Sequence, residues 1–372
     1  MTSGQNMDSL KLVLKNAKHD TTRVKTLLKI IDSDSVYELP DTAIVLCHKV
    51  IKITDKNLLS SKGDIRKLYL NAKTEALDGI GLSYHLKGNI PLALEYFNTS
   101  LKIAEENKNN RAIARLLLHI GCMYYYSNLD ISKAQVYYYK SLKISEEIND
   151  KALIVANLTD LGEIYFHQGE MNEALNLYLK GLEVVKNEPN SSSYGFILSS
   201  LGYVYLEQSN LIKASDCFEK FLANSKQNGS KLNEARALNS IGLIYFNKGE
   251  IEKSFEYLNQ SLHIYESIGS ESGIVSQLAN IGEKYFKIKD YDKSEKYLKR
   301  SLYLLNKKRL DNYLLLFKKT GDLLSQIYYF KGNYKEAYSM HVLFKQMSDS
   351  INIIKRLESL LINYLAAELT RY

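Results

Sequence analysis

Between Lys151 and Lys186 the apolar positions fall first at Leu158, Leu161 and Tyr165. After a polar interruption, HQGEMNE, they resume at Ala174, Leu175, Tyr178, Leu179 and Leu182. Both sets recur at intervals of three, four and seven, which places each on one face of a helix. The interruption holds Gly169, a residue that can take the left-handed conformation in which helices often end. The stretch therefore predicts two helices joined by a tight turn. The same alternation along the chain predicts eight helical hairpins, near 22–54, 64–106, 111–148, 151–186, 191–226, 231–267, 271–307 and 311–347, the first of them degenerate. A further helix is predicted from about 348 to 371, where Ile354, Leu357, Leu361 and Tyr364 lie three or four apart. Its simplest role is to cap the apolar face that the last hairpin leaves open.

A register runs through these hairpins. Tyr84, Tyr124, Tyr165, Tyr205, Tyr245, Tyr285 and Tyr328 recur at steps of about 40, and the first six follow a glycine by three residues: Gly81, Gly121, Gly162, Gly202, Gly242 and Gly282. Glycine inside a helix costs about 1 kcal/mol relative to alanine, so six at one phase need a packing reason, and close approach of the paired helix is the natural one. Small residues follow twelve positions later at Ala93, Ala174, Ala214, Ser254 and Ser294, and again near the end of the second helix at Ser100, Ser141, Gly181, Ser261 and Ser301. Phe221 breaks the second series, so the hairpin at 191–226 is expected to pack differently there. A fixed period of this size means one structural unit stacked repeatedly.

The segments IGLSYHLKGNIPLALEYF (80–97), LGEIYFHQGEMNEALNLY (161–178) and IGLIYFNKGEIEKSFEYL (241–258) resemble the tetratricopeptide repeat family in its extended form of about 40 residues. The resemblance covers 64–347. It implies an all-α fold, a right-handed superhelical α-solenoid of about eight hairpins, with a lead-in at 1–21, the solenoid at 22–347 and a capping or linker helix at 348–372. The stretches DTTRVKTLLKIIDSD (20–34), LPDTAIVLCHKVIKI (39–53), SLKISEEINDKALIVANLTDLGEIY (141–165) and LFKQMSDSINIIKRLESL (343–360) further resemble the repeat regions of Bacteroidetes signalling proteins. In such proteins the repeats precede a sensor histidine kinase or a helix-turn-helix regulator. Neither output domain is present in these residues.

Composition refines this picture at three points. Only Pro40, Pro91 and Pro189 occur, as expected of an almost wholly helical chain. Cys47, Cys122 and Cys217 are odd in number and widely spaced, which points to a reducing compartment and a cytoplasmic location. The N-terminus has no signal-peptide pattern and no stretch has the ~18 apolar residues of a spanning helix. The net charge of +7 is concentrated: residues 283–319 hold twelve basic and five acidic side chains, which account for the whole excess. This stretch reads as a solvated lysine face, with an acidic partner as the functional alternative. It lacks a nucleic-acid-binding motif, so nucleic acid is not expected as a partner.

Stacked hairpins line one wall with the first helix of each, so function is sought there. Positions six and three before each glycine, and one, four and five after it, should face inward. The candidates for holding a protein or peptide at these positions are Arg115, Glu163, His167, Tyr203, Arg236, Asn239, Glu283 and Lys319, with aromatic groups at Tyr125, Phe166, Phe246, Phe286 and Tyr329; Asn280, outside these phases, joins them as the next first helix's asparagine. The family resemblance supplies two modes of peptide recognition. The carboxylate clamp of chaperone adaptors needs a Lys/Asn set that these positions lack. Quorum-sensing receptors hold peptide backbone with asparagines of successive first helices, which Asn239 and Asn280 match in part. Dispersed histidines and the absence of phosphate-loop, GxSxG or HExxH patterns leave no catalytic, cofactor or metal site to assign, and the chain is read as non-enzymatic.

Overall fold

The computed structural model describes residues 3–32, 39–127, 130–308 and 314–343, with 345, 346 and 349 beyond them. The helix expected over 348–371 thus falls outside the described residues, as does the connection at 33–38 within the first expected hairpin. The described residues form helices and turns, with no strand among them. In order these are α1 (Ser3–Asn16), α2 (Asp20–Ile31), α3 (Pro40–Leu58), α4 (Gly63–Leu86), α5 (Ile90–Glu106), α6 (Asn110–Tyr126), α7 (Ile131–Glu147) and α8 (Lys151–His167). They continue with α9 (Met171–Val185), α10 (Ser192–Glu207), α11 (Leu211–Gln227), α12 (Lys231–Asn247), α13 (Ile251–Ser267), α14 (Glu271–Lys287), α15 (Tyr291–Lys308) and α16 (Leu314–Phe330). A last helix, α17, occupies 334–343. The fold is an all-α solenoid, and two compact units divide it, one running to Asp160 and the other starting at Leu161.

Within the first unit, α1 lies on the lead-in segment and places Leu10 and Leu14 against Ile30 and Ala43 of α2 and α3. The core then passes from α2–α4, around Val24, Cys47, Val50 and Ile80, to α5–α6, around Phe97, Leu116 and Ile120. In the second unit it passes through Phe218 and Ile244, then Leu258 and Ile281, then Leu298 and Ile327. Each cluster joins one hairpin to the next, which is how a repeat array extends a core as a line.

The recurring glycines receive a side chain from the paired helix, sixteen residues on, or seventeen at Gly121. A Cβ at Gly81, Gly121, Gly162 or Gly202 would stand 2.4–2.7 Å from the rings of Phe97, Tyr138, Tyr178 and Phe218. At Gly242 and Gly282 the neighbour is Leu258 or Leu298, at 2.9 and 2.6 Å. The small residue twelve later, expected to fill this space, has another task where it is serine: Ser254 and Ser294 donate to the carbonyls of Gly242 and Gly282 at 2.8 and 2.7 Å. Serines near the end of the second helix do likewise, from Ser100 to Thr74, Ser141 to Ala114, Ser261 to Ala235 and Ser301 to Val275, at 2.7–3.0 Å. Hairpin α10–α11 departs as its sequence foretold. Phe221 is buried in place of the serine, and Gly195 makes room for Phe221 and for Asn224, whose amide donates to the Pro189 and Ser191 carbonyls at 2.6 and 3.0 Å.

The tyrosines of the register belong to the hairpin seam. Tyr84, Tyr124, Tyr245 and Tyr285 stack on Tyr96, Tyr137, Tyr257 and Tyr297 of the second helix, with centroids 5.3–5.6 Å apart. Their carbonyls also close the turn. The amides of Asn89, Glu170, Asn210, Glu250, Asp290 and Asn333 donate back to Tyr84, Tyr165, Tyr205, Tyr245, Tyr285 and Tyr328 at 2.8–3.0 Å, the long bond of a left-handed helix stop.

Candidate functional site

First helices carry polar side chains at a phase set by the glycine, and these side chains meet across neighbouring hairpins. A residue one after or three before a glycine pairs with one two or six residues before the equivalent position on the next first helix. In the first unit Asp78 of α4 faces Arg115 and His119 of α6, and Cys122 of α6 donates to Asp160 of α8 at 3.5 Å. In the second unit Tyr203 of α10 meets Ser240 of α12 at 2.9 Å. Asn239 of α12 accepts from the Asn280 amide of α14 at 2.9 Å, and Glu283 of α14 accepts from Lys319 of α16 at 2.6 Å.

The first-unit cluster centres on Asp78, which is 4% exposed. His119 Nδ1 lies 2.7 Å from one carboxylate oxygen and so carries the bonding hydrogen. Arg115 Nε lies 2.9 Å from the other, close enough for charge pairing although its N–H is misaligned for a hydrogen bond. Burial alone would raise the Asp78 carboxyl; His119 and then Arg115 outweigh it, and the net shift is downward. Asp32 and Glu75 approach the same hollow. Both side chains reach solvent, yet the surrounding atoms exclude enough water to raise both carboxyls, with Arg115 opposing the rise in each. Cys47, buried beneath them, has its thiol pushed up to about 12, chiefly by burial and then by Asp32 and Asp78.

Of the candidates in the second unit, Glu163 and His167 lie one turn apart on α8, with His167 Nε2 3.7 Å from a Glu163 oxygen. Tyr203 is exposed at its rim while its ring rests edge-on against Phe218 at 5.2 Å. Ser240 donates to the Arg236 carbonyl at 3.1 Å, so the Tyr203 hydroxyl is the donor in their bond. The Arg236 side chain is exposed. Asn239 and Asn280 are half-buried, and their bond uses one lone pair of Asn239 and one hydrogen of Asn280. The Asn239 amide nitrogen and the Asn280 amide oxygen are left for another partner. Glu283 is held by Lys319 and, at 3.1 Å, by Lys287; burial works to raise its carboxyl, and the lysines bring it below its ordinary range.

The structure thus joins Tyr203 with the Arg236 turn, Asn239 with Asn280, and Glu283 with Lys319, while Arg115 belongs to the separate Asp78 cluster. Among the aromatic candidates, Phe246 lies beneath the Lys284 ammonium, Phe286 packs on Tyr291 and Phe330, and Tyr329 is 62% exposed. Sequence reasoning passed over Asp78, His119, Ser240 and Lys284. Asp78 stands three before Gly81, at an inward phase, whereas His119 and Ser240 stand two before their glycines, a phase shared by Asn280. Among the described residues no group of three or more His, Cys, Asp or Glu side chains could hold a metal ion, and no helix is long and apolar enough to cross a membrane.

Comparison with known proteins bears on what such faces do. The tetratricopeptide repeat family model matches residues 153–227 and 233–307. These two stretches, 150 of the 372 residues, are similar to tetratricopeptide repeats. In the matched stretches the repeats are α8–α11 and α12–α15, with their glycine contacts at Gly162, Gly202, Gly242 and Gly282. No curated protein matches the sequence. Among solved structures, the apo quorum sensor NprR from B. thuringiensis is similar at a TM-score of 0.61 and 15% identity, over 92% of each chain. A Rap protein complexed with Competence and Sporulation Factor is similar at 0.54 and 14% identity, over 90% of this chain and 99% of that one. A signal transduction ATPase with numerous domains and a tetratricopeptide repeat sensor, from Pyrococcus horikoshii, gives 0.54 at 19% identity over 93% of this chain. This chain spans only 54% of that protein. At such identities the likeness is one of fold.

Proposed function

We propose that the chain is a non-enzymatic module that binds a peptide, or a peptide segment of a protein, and serves cytoplasmic bacterial signal transduction as a sensor or scaffold. The observation that carries this reading is the Asn239–Asn280 pair. Two amides on successive first helices are fixed by their mutual bond at 2.9 Å, and they keep one nitrogen and one oxygen available. A peptide backbone presents the complementary carbonyl and N–H at every residue, so a fixed amide pair binds it without regard to side chain. Arg236, one turn before Asn239 on α12, and Tyr203 on α10 then supply side-chain contacts on the neighbouring helices. The likeness in fold to the quorum sensor NprR, and the sequence resemblance to Bacteroidetes signalling repeats, support a signalling role.

The test is selection of a random-sequence peptide library on the immobilised protein. Enriched peptides are expected to lose at least tenfold in affinity for Asn239→Ala/Asn280→Ala at unchanged helical circular dichroism. A library showing no enrichment above background would sink the reading. A second reading, regulation in cis of a histidine kinase or DNA-binding output domain outside this chain, draws on the P. horikoshii protein, in which a repeat sensor accompanies an ATPase. Its test is the genomic reading frame past Tyr372: continuation into such a domain favours it, and a stop codon removes it.

A further inference from the structure

Lys284 is the only lysine or arginine buried among the described residues, at 8% exposed. Lysines are almost never this buried unless paired. Here the near partner is a ring: Nζ stands 5.0 Å from the Phe246 centroid, and among the described residues no carboxylate lies within ion-pair range of it. Glu283, the adjacent residue, is engaged by Lys319 at 2.6 Å and Lys287 at 3.1 Å. Two ammonium groups therefore hold that carboxylate, and Lys284 is left without an ion pair among the described residues. Burial lowers its basicity, Glu283 opposes this, and Lys287 and Lys319 add to the lowering. Among the described residues the polar atoms that are both sealed and unpartnered lie on other side chains, so the small area that Lys284 exposes includes its nitrogen. A buried charge lacking its counter-ion, open at the charged atom, has the properties of a vacant anion site.

We propose that this cluster takes the side-chain carboxylate of an acidic residue in the bound peptide. The inference rests on the peptide reading above and gives that ligand its chemistry. Asn280 and Lys284 are one turn apart on α14, about 6 Å along the axis. An extended peptide advances about 3.3 Å per residue, so the carboxylate belongs about two residues from the unit held by Asn280. The concentration of positive charge in residues 283–319 then has a local purpose. Two of these residues, Lys287 and Lys319, add positive charge beside a site where an anion replaces the water that burial has taken from Lys284.

Two synthetic decapeptide pools with amidated C-termini test this, identical except that one carries Asp and Glu at four positions where the other carries Asn and Gln. The acidic pool is expected to bind at least tenfold more tightly, and Lys284→Met, which keeps the buried stem and removes the charge, is expected to abolish the difference. Lys319→Gln and Lys287→Gln, on accessible side chains, provide the comparison should the Met variant fold poorly; each is expected to lower acidic-pool affinity two- to fivefold. Excess sodium acetate, which supplies the carboxylate without a backbone, is expected to compete only at high concentration. Equal binding of the two pools, with loss in Asn239→Ala/Asn280→Ala, would overturn the carboxylate site and leave the peptide reading standing. Binding of neither pool would overturn both. Binding of the acidic pool with no loss in any lysine variant would also overturn the assignment to Lys284.

Discussion

Asp78 shows how one residue's environment sets its contribution. A carboxylate this buried is stable because Arg115 supplies opposite charge and His119 a hydrogen bond, and together they hold its carboxyl below the ordinary range. The depressed value means that the folded state binds the proton less readily than the unfolded chain does. The resulting stability is therefore complete above the unfolded value near 3.9 and is lost as pH falls through the lower folded one. Asp78→Asn is expected to cost about 2 kcal/mol in urea unfolding at pH 7, with the deficit shrinking below about pH 4. A deficit unchanged at pH 3 would mean that packing, and not charge, sets it. Glu75 has the opposite sign, since its carboxyl is raised by burial. It penalises the folded state above its folded value, so Glu75→Gln is expected to raise the melting temperature at pH 7 and to leave it unchanged near pH 4. Arg115 stands out in the sequence because its phase recurs, although its pairing with Asp78 is not legible there. His119 was not legible, because its partner lies 41 residues away, and no local pattern says which two side chains of neighbouring helices will meet.

At the scale of the element, the hairpin turn is a repeated object with substitutions that test its design. The residue before each turn-closing amide takes positive φ, and it is glycine at Gly88, Gly169, Gly249 and Gly332. Ser209 and Lys289 hold the same place at φ 58 and 64. A side chain in the left-handed region costs about 1–2 kcal/mol, against which glycine loses up to about 1 kcal/mol through the greater freedom of the unfolded chain. Lys289→Gly and Ser209→Gly are therefore each expected to stabilise by about 0.5–1 kcal/mol, read as a higher midpoint in urea; an unchanged or lower midpoint would show that the turn does not strain them. Most of the hairpins were legible because turn residues and apolar stripes alternate so regularly. The departure at Phe221 was legible as a break in the small-residue series, but its remedy was not. Gly195 precedes Phe221 by 26 residues, and only the paired helices show that one missing side chain accommodates another.

For the whole molecule, the repeat architecture predicts how damage spreads. Each hairpin buries its apolar face against its neighbours in sequence, so stability is a sum of local terms and not the property of one central core. Gly202→Ala is the sharpest probe. Its new Cβ would fall 2.5 Å from the Phe218 ring, and an aromatic wedged between two helices has little room to retreat. Overpacking of this kind costs about 1–3 kcal/mol, which exceeds the roughly 1 kcal/mol that alanine returns in helix propensity. Gly242→Ala meets Leu258 at 2.9 Å and the Ser254 carbonyl at 3.2 Å, a smaller overlap than at Gly202, so there the two contributions come closer to balance. The expected order is a loss of about 1–2 kcal/mol for Gly202→Ala and within about 0.5 kcal/mol of wild type for Gly242→Ala. Amide hydrogen exchange locates the loss. Protection in Gly202→Ala is expected to fall across α10–α13 and to stay at the wild-type level in α3–α6, because openings in an array extend only as far as neighbouring interfaces carry them. A uniform fall along the chain would instead show one cooperative structure, in which the glycine register acts as a single core divided among many helices.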